Sequence, residues 1–170
     1  MGELWEVYDR FKRKTGKIIE RDSEERLQDG EYHLVVTGVI MNSKKQILIS
    51  RRNPDKLLYP NLWECTGGSV KKGENSLEAV KREIEEEIGV NLEKIKGTLL
   101  GTVMQNDYFR DIWLFNKEVN KEEISFNDEE VVDIKWVTED EYLNMCESGK
   151  IVPTGKVVVN LLEKERESER

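Results

Sequence analysis

The sequence predicts an α/β fold in which a mixed sheet is flanked by helices. Residues 33–41, HLVVTGVIM, form a nearly continuous β-branched run suited to a buried strand. Leu77, Val80, Ile84 and Ile88 step by three, four and four, which builds one apolar stripe along a helix. Strand-like segments outnumber helical ones, and the helices fall between and after them, the arrangement of a sheet covered by helices.

In chain order, residues 1–30 read as an extension of strand and turn character. Trp5, Val7 and Tyr8 can pack, a turn is expected at Thr15-Gly16, and Lys12 to Lys17 is a basic connector. Residues 23–30 are polar, a loop or short helix. The run at 33–41 then meets the turn Asn42-Ser43-Lys44-Lys45 and a returning strand at 46–50, which predicts a hairpin. Pro54 and Pro60 bracket a loop, Leu62 to Cys65 is extended, and Gly67-Gly68 leads towards the helix. Gly89 stands where a helix C-terminus favours glycine. Residues 99–104, 111–115 and 131–137 read as further strands. Thr138 and Glu141 match a capping box, so a helix is expected from about Glu139 to Glu147. A terminal helix is expected within 155–170.

The length of 170 residues suggests one domain with a substantial core. With 27 basic and 35 acidic residues the net charge is −8, a poor match for nucleic acid but compatible with a small phosphorylated ligand if a metal supplies positive charge. No apolar run approaches the roughly 18 residues of a membrane span. The opening ten residues lack a secretory pattern, and the two cysteines, Cys65 and Cys146, suit a reducing compartment, so the expected location is cytoplasmic.

The segment from Gly68 to Val90 carries the chemistry. Glu83, Glu86 and Glu87 share one helical face, turned away from the apolar stripe, whereas Glu78 and Glu85 lie on a third side. Three carboxylates so placed repel one another. Either the face is simply solvated, or a hard divalent cation relieves it, since oxygen ligands suit Mg²⁺ or Mn²⁺. Spacing alone leaves both readings open.

The full pattern reads Gly68, five residues, Glu74, seven residues, Arg82-Glu83-Ile84, one residue, Glu86-Glu87, one residue, Gly89-Val90. It resembles the Nudix hydrolase signature at every specified position. The resemblance implies an α/β/α sandwich with a mixed sheet and a loop-helix-loop catalytic motif, as a Nudix domain over 31–170 with residues 1–30 packed on it. It also implies Mg²⁺-dependent hydrolysis of a diphosphate linkage in a nucleoside diphosphate-type small molecule, with Mn²⁺ as a substitute metal. Glu83, Glu86 and Glu87 would be metal ligands, with the Gly67 carbonyl. Glu74 and Arg82 would support them. Glu86, Glu83 or Glu130 would take the proton from water. Arg51 and Arg52 would meet substrate phosphate. Trp63 would stack on a base or sugar, or else fill the core, and Lys56, Tyr108 and Phe109 are weaker candidates. The opening region resembles the isopentenyl-diphosphate isomerase branch of the superfamily, so isomerisation is an alternative, as is a non-catalytic nucleotide-binding module. That isomerase, however, needs a cysteine where Thr66 stands and a histidine where Gly68 stands. Monomer and homodimer are equally compatible with the sequence.

Overall fold

The computed structural model describes residues 2–170. The first two strands, β1 (Leu4–Tyr8) and β2 (Lys14–Glu20), form an antiparallel hairpin of their own. Its reversal lies at residues 9–13 and not at Thr15-Gly16. The Asp9 carboxylate accepts the backbone N–H groups of Phe11 and Arg13 at 2.8 and 3.0 Å, and Lys12 takes a left-handed φ of 61° to close the turn. Local side-chain capping by aspartate outweighed the glycine signal. Residues 23–30 form an irregular loop.

The main sheet contains β3 (His33–Met41), β4 (Ile47–Arg52), β5 (Trp63–Glu64), β6 (Gly67–Ser69), β7 (Gly97–Gln105), β8 (Tyr108–Asn116) and β9 (Val131–Val137). The expected hairpin of β3 and β4 pairs only beside its turn, at Met41 and Ile47. The strands then part, because each gains a longer partner. β3 runs parallel to β8 from His33/Tyr108 to Met41/Asn116 and takes β6 antiparallel at residues 35–37. β4 takes β9 and β5, both antiparallel. The sheet is therefore mixed, as the pattern predicts.

Side chains alternate across it. Val36 and Ile40 face α1 (Ser76–Ile88), where they meet Val80, Ile84 and Ile88. Val39 and Met41 face the opposite layer, built on α2 (Glu139–Glu147) and α3 (Val157–Ser168) with Tyr142, Val158 and Leu162. Each fully buried Val or Ile contributes about 1.5–3 kcal/mol, so these two apolar layers pin the helices to the sheet. Thr138 and Glu141 form the expected capping box of α2.

The N-terminal hairpin docks on the α1 side. Tyr8 and Tyr32 exchange backbone hydrogen bonds at 2.7 and 2.9 Å, and the Lys72 N–H donates to the Leu4 carbonyl at 2.8 Å. At the turn, Lys12 Nζ sits 2.7 Å from Asp111, a carboxylate only 2 % exposed that also accepts from the Thr102 hydroxyl at 2.6 Å. Removing the lysine leaves that charge without its counter-ion. We expect Lys12→Met to lower unfolding free energy by about 1–2 kcal/mol, the lower range for a buried charge that keeps one donor. Urea unfolding of the variant against wild type measures it, with Asp111→Asn in the Lys12→Met background expected to recover part of the loss.

Candidate active site

The helix α1 is framed by its own sequence. The Asn75 side chain accepts the Glu78 N–H at 2.8 Å, and Gly89 ends the helix at φ 75° with its N–H on the Glu85 carbonyl. Between these caps the apolar stripe is buried, which turns Glu83 and Glu87, one turn apart, towards the glycine strand β6. Gly68 leaves room there for the Glu83 carboxyl, which a Cβ at that position would displace. Glu78, Glu85 and Glu86 are exposed.

These groups open on a polar cavity of about 310 Å³, lined by Gly67, Gly68, Arg52, Lys56, Arg82, Glu83, Glu86, Glu87 and Glu130 among others. Arg82 organises one wall. Its guanidinium donates to Glu74 at 2.6 and 2.9 Å, to Glu83 at 3.0 Å, to Glu86 at 3.1 Å and to the Ser69 carbonyl at 3.0 Å. Despite the burial that opposes it, Glu74 keeps its carboxyl below the usual value through Arg82 and the Lys71 N–H. Arg52 donates to Glu64 at 2.9 Å and to the Leu58 carbonyl at 3.0 Å. Lys56 Nζ lies 2.5 Å from Glu130.

Glu87 is different. Among the described residues its carboxylate has no ion pair, and no donor hydrogen-bonds to it. Burial pushes its pKa well above the ordinary carboxylate value, and Glu83, Glu64 and Glu130 push further. Burial also raises Glu83, against the pull of Arg82. An oxygen-rich pair with surplus negative charge in a polar cavity fits a hard divalent cation. Among the described residues, no three acidic, histidine or cysteine side chains already converge as a metal cluster. Arg82 draws Glu83 and Glu86 to its side, and Lys56 holds Glu130 at another.

The structure thus gathers Glu83, Glu86, Glu87, Gly67, Arg52, Arg82 and Glu130, with Glu74 one step behind through Arg82. It does not bring Arg51 or Trp63 to this cavity. On a strand, neighbours point to opposite faces, so Arg51 turns away and meets Asn61 at 3.3 Å. Trp63 packs on the α2/α3 layer beneath Lys135, whose Nζ stands 4.5 Å from the ring centre. Phe109 is core, and the Tyr108 hydroxyl donates to Gln105. Sequence reasoning missed Glu3 and Arg21 from the hairpin, Lys71 and Asn127, all on the cavity wall. Lys71 sits inside the motif and was open to notice. Arg21 carries no local signal, since only the docking of the hairpin brings it near.

Comparison with known proteins gives the chain a family. A family model described as the NUDIX domain matches residues 31–157. An uncharacterized Nudix hydrolase of Listeria monocytogenes is 36% identical over 157 residues, covering 89% of this chain and 89% of that protein. A Deinococcus radiodurans crystal structure superposes with a TM-score of 0.76 at 23% identity, over 95% of this chain and 98% of that one. The NUDIX domain of Shewanella oneidensis NrtR, solved in complex with ADP ribose, gives a TM-score of 0.64 at 15% identity, over 86% and 93% of the two chains.

Proposed function

Because the chain belongs to the Nudix family, we propose that it is a Mg²⁺-dependent hydrolase that cleaves the diphosphate linkage of a nucleoside diphosphate-type small molecule. The observation that carries this reading is the unpaired, half-buried Glu87 beside Glu83 in a polar cavity that five cationic side chains also line. Glu83 and Glu87 would hold the metal, with Glu86 and the Gly67 carbonyl as further ligands. When bound, a divalent cation neutralises charge on phosphoryl oxygens and acidifies water. Arg82 keeps the helix carboxylates oriented, and Glu74 keeps Arg82 in place. Arg52, on the cavity wall, offers a planar donor to phosphate oxygens. Of the three carboxylates considered for the water proton, each is held by one cation, Glu83 and Glu86 by Arg82 and Glu130 by Lys56, and Glu86 is the most exposed of them. Glu86 is therefore assigned that role, consistent with a base reachable by solvent.

Two features weigh against the isomerase alternative. The Cys65 thiol is buried outside the cavity, and burial raises it to about 12, far from an acid-base group working near neutrality. Gly68 occupies the place of the required histidine, and a side chain there would displace the Glu83 carboxyl from its present position. A purely binding role is disfavoured by the presence of all three motif carboxylates.

A Mg²⁺-dependent hydrolysis panel tests the reading. It spans nucleoside di- and triphosphates, nucleotide sugars, ADP ribose, dinucleotides and isopentenyl diphosphate, with products resolved chromatographically. Metal-dependent release of a monophosphate or inorganic phosphate, abolished by chelator, is expected. An isomerised diphosphate with no bond cleavage would replace the proposal with the isomerase.

A further inference from the structure

The N-terminal hairpin supplies part of the cavity wall, through Glu3 and Arg21. The cations on that wall differ in how they are engaged. Arg82 is saturated by three carboxylates and a carbonyl, Arg52 is held by Glu64, and Lys56 by Glu130. Arg21 and Lys71 are not so engaged. Among the described residues, Lys71 has no carboxylate within 4 Å, and Arg21 has only distant ones, Glu3 at 3.9 Å and Asp22 at 3.8 Å. Neither side chain donates a hydrogen bond to another described residue.

The two cations stand on adjoining segments that the fold ties together. The Lys72 N–H, next to Lys71, donates to the Leu4 carbonyl, and the Arg21 N–H donates to the Glu3 carbonyl, each at 2.8 Å. Glu3 also accepts the Trp5 indole N–H at 2.8 Å, and Trp5 stacks flat on His33 with ring centres 4.2 Å apart. The hairpin end is thus tied to the start of β3, and the Arg21 guanidinium beside it lies 5.8 Å from the Trp5 ring centre without donating a hydrogen bond to another described residue. A guanidinium that donates no hydrogen bond, on the wall of the same cavity as Lys71, Glu83 and Glu87, is an arrangement for an anionic oxygen group.

We propose that Arg21, seconded by Lys71, is a substrate-binding residue: the N-terminal hairpin clasps a phosphate in the cavity that Glu83 and Glu87 also line. This rests on the diphosphate reading of the site. It makes the hairpin a working part of the catalytic centre, with diphosphate recognition split between the motif helix and the extension.

The test uses full-length protein and methylenediphosphonate, a non-hydrolysable diphosphate, titrated calorimetrically with Mg²⁺, alongside steady-state kinetics on whichever substrate the panel yields. Arg21→Ala should weaken methylenediphosphonate binding by about 10–100-fold, the equivalent of a lost charge-assisted hydrogen bond. It should raise KM with little change in kcat. Lys71→Ala should have a smaller effect of the same kind, Arg21→Lys should recover part of the loss, and Lys94→Ala, on an exposed loop, should have none. Unchanged melting temperatures would separate binding from folding. Binding by Arg21→Ala equal to wild type, while Glu87→Gln loses turnover, would overturn the hairpin assignment alone. Failure of wild type to bind the diphosphonate or cleave any diphosphate would overturn both readings together.

Discussion

Glu87→Gln should reduce Mg²⁺-dependent hydrolysis by roughly a thousandfold or more, the loss of several kcal/mol of charge stabilisation at a tenfold per 1.36 kcal/mol. Glutamine keeps the shape and the buried contacts of the side chain, so folding should survive. In metal-free protein the substitution should even be favourable at neutral pH. The folded-state pKa of Glu87 is raised, chiefly by burial and then by its carboxylate neighbours. Such a group contributes stability below the ordinary carboxylate range and loses it as pH rises through the raised value. Wild type in chelator should therefore fall behind Glu87→Gln as pH moves from 5 to 8. Added Mg²⁺ should raise the melting temperature of wild type and leave that of the variant nearly unchanged. Turnover by Glu87→Gln within tenfold of wild type, or an equal Mg²⁺ shift in both proteins, would remove Glu87 from the metal site.

A second large effect is expected in the acid limb of stability. His33, the only histidine of the chain, stacks on Trp5, meets Tyr108 edge-on at 5.7 Å, and has a buried Nδ1 without a partner among the described residues. Its pKa is lowered to about 4, chiefly by burial, with Arg21 and Arg110 acting in the same direction and Asp107 and Glu3 against them. The folded protein therefore resists protonating a group that the unfolded chain protonates from about 6.5 downward. The stability this group contributes is complete above that value and is lost as pH falls towards 4, amounting to about 3 kcal/mol across the window. His33→Phe preserves the ring stack and cannot titrate. Its unfolding free energy should lose about 2–3 kcal/mol less than wild type between pH 7 and pH 4.5, measured by urea titration at both. Parallel curves for the two proteins would show that His33 titrates alike in the folded and unfolded states.

Both effects show how far residue patterns reach. The stripe Leu77, Val80, Ile84, Ile88 and the terminal Gly89 define α1 almost to the residue, because helix periodicity and capping are local. The same local rules place Glu83, Glu86 and Glu87 on one face. They do not say that Glu87 is half-buried and unpaired while Glu86 stays exposed beside Arg82. That depends on how α1 lies over β6, with Gly68 leaving room for one carboxylate. Arg52 and Arg51 are equivalent on paper, and strand alternation in the folded sheet separates them. Trp63 had a stacking reading and a core reading, and it lies half-buried against the α2/α3 layer, off this cavity. The turn at Thr15-Gly16 misread a local signal that the Asp9 side chain outcompetes.

Element types, the C-terminal glycine of α1, the capping box of α2, the carboxylate-bearing face and the family follow from the order of residues, because each depends on contacts within a few positions along the chain. Strand partners, the exclusion of Arg51, the isolation of Glu87 and the arrival of Arg21 at the cavity depend on tertiary structure. They join segments tens of residues apart, and their energetics arise from burial and charge proximity, which exist only once the sheet and its two helical layers have closed around them.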